Sequence, residues 1–390
     1  MRRLVVALAL LPISLGAQRQ KPTMPLPDAW PAATQALDSF ASVSHLVGGG
    51  IAFVRDGKVV AEHYVGFGDK ERGEKAEAAT IWHWGSITKT LTAIAVMQQI
   101  ERNQVTLDDA ITKWIPDLRK VHSTFGSMDQ ITIRMLLSHS SGLQNPTWPW
   151  TKGESWEPFE PTEWSQLVAM MPYMQLVFAP GSRYGYSNPG FIYLARVVEQ
   201  ITGDPWESYV TKNLFSPLGI TTSYFGSTPY HLARWRSNNY TVQKDGSVKA
   251  NGRDFNPGVT IPNGGWNAPI GDLAKWTGFL MGAAAGDSAH AATYAEILPH
   301  ASLERMWTPI VQAGTEGMGL SFFIEKEGER RFVGHTGSQA GFRAFLYLDP
   351  ERHTAIIGVV NTDSDVNGMA YQQGFQSTMK AGIDVLRSVK

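Results

Sequence analysis

Apolar and polar positions divide the chain into strand-like ends and a helical middle. A helix is expected over 32–46, and then "GGGIAFVRDGKVVAEHYVGFG" gives two apolar-rich, β-branched runs around Asp56-Gly57, a dipeptide suited to a tight hairpin turn. From Ile87 the pattern changes. Leu91 to Met97 is apolar all round and the segment runs on to Asn103, too long for a typical strand, so a buried helix is predicted. Between about Leu107 and Leu280 the chain reads as helices separated by long turns. "ITIRMLLSHSSGL" (131–143) predicts a short helix ending at Gly142. "NPGFIYLARVVEQITG" (188–203) predicts another, with Pro189 in the first turn and Gly203 as the stop. The runs "LSFFIE", "RRFVGH", "FRAFLYLDP" and "HTAIIGVVN" then read as strands. An amphipathic helix closes the chain, with Met369, Phe375, Met379, Ile383 and Leu386 on or near one face.

Strands at both ends and helices between them predict an α+β fold. One antiparallel sheet is built from the N- and C-terminal segments and flanked by helices, with an all-helical subdomain inserted over roughly 107–280. The first 17 residues, "MRRLVVALALLPISLGA", have a basic start, an apolar core and a small-residue end. That is the pattern of a cleaved signal peptide, too short to span a bilayer, which takes about 20 apolar residues. The expectation is an exported protein, periplasmic or secreted, with one domain over 18–390 and no stable membrane insertion.

Composition narrows the chemistry. Net charge is −1 with no basic block, which argues against nucleic acid as a partner. The chain has no cysteine, so disulfides, thiolate zinc sites and a cysteine nucleophile are all excluded. Its ten histidines include no His-x-His or His-x-x-x-His pair, so neither a metal nor another cofactor is expected. Asp108 and Asp109 are adjacent and point different ways on any regular element, which does not suit a glycosidase.

Three polar islands stand out. In "HWGSITKT" (83–90) Ser86 and Lys89 are three residues apart at the start of the buried helix, hence on one face. A lysine in apolar surroundings has a depressed pKa and can accept a hydroxyl proton, the logic of an activated nucleophile. In "PGSRYGYSNPG" (180–190) Tyr186 and Asn188 flank Ser187 on a glycine-rich turn ahead of a helix; the phenol can move a proton and the amide can hold a carbonyl. In "GHTGSQAGF" (334–342) His335, Thr336, Gly337 and Ser338 follow a predicted strand, where the glycine admits a ligand and the Ser338 N–H can face an oxyanion.

Together these resemble the serine hydrolases related to class C β-lactamases and D-Ala-D-Ala carboxypeptidases, a superfamily that includes esterases and D-aminopeptidases. Its Ser-x-x-Lys, Tyr-x-Asn and Lys- or His-x-Gly marks stand here as Ser86-Ile-Thr-Lys89, Tyr186-Ser-Asn188 and His335-Thr-Gly337, in order. "TLDDAITKWIPDL" (106–118), "PLGITTS" (217–223) and Gly264-Gly265 also match, so the resemblance runs from about Gly48 to Val360. It implies that Ser86 forms an acyl-enzyme, that Lys89 and Tyr186 share the proton work, and that Asn188 orients the substrate. It also implies that the N–H groups of Ser86 and Ser338 stabilise the oxyanion, and that His335 and Gly337 line the substrate pocket. Which of Lys89 and Tyr186 is the acylation base is left open by the motifs, as is oligomeric state.

Departures from the pattern shape the expected substrate. His335 replaces the lysine of class C β-lactamases, and a histidine near its pKa anchors a carboxylate less reliably. That favours a small-molecule ester, amide or peptide substrate over a lactam. Asn263 and Trp266 are expected to alter the same rim, and Trp148, Trp150 or Trp156 of a Trp- and Pro-rich loop to touch an apolar acyl group. Three alternatives remain: a β-lactamase, a non-catalytic penicillin- or peptide-binding protein, and an α/β-hydrolase with Ser187 as nucleophile, which lacks the second glycine of G-x-S-x-G and the flanking βα units.

Overall fold

The computed structural model describes residues 25–143, 161–364 and 368–390. The predicted signal peptide and Trp148, Trp150 and Trp156 lie outside these residues.

The hairpin forms where it was expected. Gly48–Arg55 and Lys58–Asp69 pair antiparallel, and Asp56 and Gly57 take the left-handed backbone (φ 49° and 71°) that a two-residue turn of this kind requires. The hairpin docks on Thr354–Val360, which pairs in turn with Phe342–Asp349, Arg330–Gln339 and Phe323–Glu327. Short strands at Glu74–Lys75 and at Glu316–Met318 and Val311–Ala313 close the two edges, giving a nine-stranded antiparallel sheet. Distant ends of the chain thus share one sheet.

Both faces of this sheet are covered, so its central strands are apolar at nearly every position. Along Thr354–Val360, Ala355, Ile357 and Val359 join the core beneath the helical region, while Ile356 and Val360 point to the other face. There they meet the helices Trp30–Val43 and Gly368–Arg387, with Trp30, Leu37, Phe40, Phe375 and Leu386 filling the layer. Each such large side chain contributes about 1.5–3 kcal/mol by leaving water. The closing helix does not bury all the residues expected of its apolar face, because Met369 in its first turn is 81% exposed.

The helix predicted from Ile87 is Thr88–Glu101, entered through a 3-10 turn at Gly85–Ile87. Its residues are buried through Gln99, since it runs between the sheet and the insertion. The second predicted helix spans Asn188–Thr202 and ends at Gly203, whose left-handed φ of 76° makes the C-cap. Two expectations are corrected. The helix in "ITIRMLLSHSSGL" covers only Ile133–Leu137, because His139 turns left-handed (φ 54°) and sends the chain toward the Tyr186 turn. Nor is the insertion all helical. Asn239–Val242 and Val248–Gly252 form a ribbon that pairs in parallel with Thr362–Ser364, a register too short and polar to be visible as apolar alternation.

Candidate active site

The cleft forms where the helix entrance meets the sheet. Arg330–Gln339 is paired with Phe323–Glu327 only through Gly334, and beyond that point the strand lies against the 85–87 turn. The approach is as close as backbones allow. A methyl group on Gly337 would stand 2.0 Å from the Trp84 carbonyl oxygen and 3.3 Å from Ser86 N. One on Gly85, itself at φ 51°, would stand 2.8 Å from Ser338 N. Glycine at both positions brings the amides of Ser86 and Ser338 to one corner.

Ser86 lies in the 3-10 turn rather than at the first residue of the α-helix. Lys89 follows one turn on, fully buried, with its Nζ 2.9 Å from Ser86 Oγ and 2.8 Å from the carbonyl oxygen of Asn263. The rings of Tyr186 and Phe191 lie 5.0 and 5.6 Å from the same nitrogen. Burial alone holds the amine well below the ordinary lysine range, since desolvation disfavours its charged form.

Tyr186 stands on the opposite wall. Its hydroxyl hydrogen-bonds to Ser86, which favours the phenolate, but burial outweighs this and holds the phenol above its ordinary value. At neutral pH the phenol therefore carries its proton and the buried amine is the stronger candidate acceptor. Ser187 is the N-cap of the following helix, accepting the Gly190 N–H at 3.4 Å, and is buried. A nucleophile at Ser187, as an α/β-hydrolase would require, has no access to the cleft. Asn188, the first helical residue, reaches the cleft wall.

The cleft itself, about 460 Å³, is lined by Ser86, Tyr186, Asn188, Thr336, Gly337 and Ser338, with Phe323, Arg343, Phe375 and Met379 further out. A larger groove of about 720 Å³ beside the 56–57 turn contains none of the three polar islands.

His335 is the sequence-predicted residue that the structure takes out of the pocket. Strand alternation sends Thr336 to the cleft and His335 to the buried side, where it is 1% exposed. There its Nδ1–H donates to the Thr336 carbonyl, and its ring packs 5.3 Å from Phe323 and 6.3 Å from Tyr186. Burial first, and Lys89 second, push its pKa down to about 3, so it is a neutral wall and not a switchable anchor. Trp266 is likewise absent from the rim: fully buried, it stacks on Phe215. Asn263 contributes the carbonyl that holds Lys89.

Sequence reading named Thr336 without giving it a role and passed over Arg343. The same period of two that inverts His335 would have found Thr336, and Arg343 faces Ser338 across the strand pair. It also passed over His139, which lies against Tyr186 with the ring centroids 4.2 Å apart.

With this geometry in place, the comparisons identify the lineage. The sequence model of the family described as Beta-lactamase matches residues 34–375, and the chain belongs to that family. Among curated proteins it is similar to Protein flp of Staphylococcus aureus (strain COL), 22% identical over 321 residues, which cover 82% of this chain and 61% of that protein. The chain thus spans less than two thirds of the length of that relative. It is 30% identical to Esterase EstB of Burkholderia gladioli over 207 residues, 48% of this chain and 50% of the esterase. Among solved structures, the octameric penicillin-binding protein homologue from Pyrococcus abyssi superposes with a TM-score of 0.73 at 23% identity, covering 91% of this chain and 77% of the other. No described helix is long and apolar enough to cross a membrane.

Proposed function

We propose that this protein is a serine hydrolase that cleaves a small carboxylic ester or amide through an acyl-enzyme on Ser86. The observation that carries the reading is the desolvated Lys89 amine, 2.9 Å from the Ser86 hydroxyl, with the protonated Tyr186 phenol interacting with the same serine. Neutral Lys89 takes the Ser86 proton as Oγ bonds to the substrate carbonyl carbon. The oxyanion that develops is received by the N–H groups of Ser86 and Ser338. Tyr186 gives its proton to the leaving oxygen or nitrogen as that bond breaks, and Lys89 returns the proton to Tyr186. A water then attacks the acyl carbon by the same proton path in reverse, releasing the acid and restoring Ser86. Asn188, at the cleft wall, orients the acyl group.

Ester chemistry is favoured over lactam chemistry. A neutral, buried His335 supplies no cation to the site strand, and the similarity to Esterase EstB points the same way. Turnover of a p-nitrophenyl ester series by wild type and Ser86→Ala tests the reading: hydrolysis that survives the substitution overturns it. The leader sequence supports export, and N-terminal sequencing of the protein from the periplasm or medium tests that, with an intact Met1 as the contrary result.

A further inference from the structure

Tyr186 is held from three directions by one residue, His139. The His139 carbonyl oxygen accepts the Gly185 N–H at 2.8 Å, and its Nδ1 accepts the Ser187 N–H at 3.1 Å. Its ring lies nearly flat on the intervening phenol, with centroids 4.2 Å apart and planes 27° apart. The residue before Tyr186, the residue after it and the ring itself are therefore all fixed by the same side chain and its peptide.

Packing alone does not account for an imidazole at this position. His139 is fully buried and its Nε2 finds no hydrogen-bond partner, a cost that a phenyl ring of similar shape would avoid. The backbone is left-handed at φ 54°, a conformation in which asparagine and histidine are enriched over other non-glycine residues. What histidine supplies and phenylalanine does not is the Nδ1 lone pair, and that lone pair exists only on the neutral ring.

We propose that His139 is a positioning residue, fixing Tyr186 through its ring face and its Nδ1 lone pair for proton transfer at Ser86. The proposal rests on the reading of Ser86 as nucleophile and Tyr186 as proton carrier. His139 is not among the residues that line the cleft. Its effect falls on the rate of the chemical step and leaves binding alone, because a misplaced proton carrier weakens only the transition state.

Three variants separate the contacts. His139→Asn keeps an acceptor near the Nδ1 position and tolerates the left-handed backbone, but loses most of the ring face. His139→Phe keeps the face and loses the acceptor. His139→Ala loses both. On a short-chain p-nitrophenyl ester the alanine variant is expected to lose about 100-fold in kcat with KM nearly unchanged, and each of the others about 10-fold. Thermal unfolding of each variant identifies the samples that are folded. Wild-type kcat in folded His139→Asn and His139→Phe overturns the proposal, as does a loss carried by KM. If His139→Ala does not fold, the Asn and Phe pair decides alone. Failure of the underlying reading looks different: wild type itself would show no Ser86-dependent turnover.

Discussion

Lys89 Nζ lies 2.9 Å from Ser86 Oγ, in a site where desolvation holds the amine well below the ordinary lysine range. Most lysines keep their charge by reaching water, and one that cannot becomes a base at ordinary pH. In the mechanism proposed, the same helix entrance supplies both the hydroxyl and the acceptor for its proton.

The pH dependence of kcat/KM follows from the two walls of the site. Lys89, depressed from the ordinary lysine value, must be neutral, so the rate rises with pH through a pKa below that range. Tyr186, raised above its ordinary value, stays protonated, so the alkaline fall lies above about pH 10. Lys89→Met is expected to lower kcat/KM by about 10²–10⁴-fold without unfolding the protein. A rising limb found only above pH 10 contradicts this assignment.

Gly337→Ala tests the contact between the site strand and the nucleophile turn. The added methyl group would sit 2.0 Å from the Trp84 oxygen, so the strand must shift away from Ser86. A loss of about 10²–10³-fold in kcat is expected from the displaced oxyanion donor, together with about 1–3 kcal/mol of stability. Urea unfolding and steady-state kinetics measure both. Unchanged kcat would show that the Ser338 amide does no work.

Arg343 is the charged residue among those lining the cleft. Its Nη2 is 3.6 Å from Asp363 and its guanidinium lies 4.8 Å from the Tyr371 ring, and as the cation at the cleft wall it is the group to test for contact with an anionic substituent. Arg343→Gln is expected to raise KM about tenfold for an ester bearing a free carboxylate, the effect of one charge-assisted contact, and to leave a neutral ester of the same length unchanged. Equal effects on the two esters would remove Arg343 from recognition.

Acid stability is set in part by buried imidazoles. Burial lowers His335 to about 3 and His83 to about 4, against about 6.5 in the unfolded chain. Below pH 6.5 the unfolded state takes up protons that the folded state refuses, so the stability is fully present above that pH and is lost as pH falls toward the folded values. Between pH 7 and 5, His335→Gln is expected to lose about 2 kcal/mol less than wild type. Parallel stability curves for the two proteins would contradict a neutral, buried His335.

How much of this was legible in the sequence depends on the range of the interaction. The Asp56-Gly57 hairpin, the Gly203 stop and the four C-terminal strands are local, and their residues name them. Ser86 with Lys89 is an i, i+3 pair, and Tyr186 with Asn188 spans one turn; both could be read, though their meeting in one cleft came only from the family resemblance. His335 was misplaced because a strand sends neighbours to opposite faces, and what each face of Arg330–Gln339 meets is decided by the 85–87 turn, far earlier in the chain. His139 escaped notice because its importance lies in a turn about fifty residues away, and no local pattern marks a left-handed histidine.

The central claim is an activated Ser86, and covalent labelling tests it most directly. Wild type, Ser86→Ala and Lys89→Met would each be treated with a fluorophosphonate, and the adduct located by peptide mass spectrometry. The account predicts one adduct, on Ser86, absent from Ser86→Ala and slowed by about 10²-fold or more in Lys89→Met. An adduct on another serine, or a folded wild type that takes no label and turns over no ester, would contradict it.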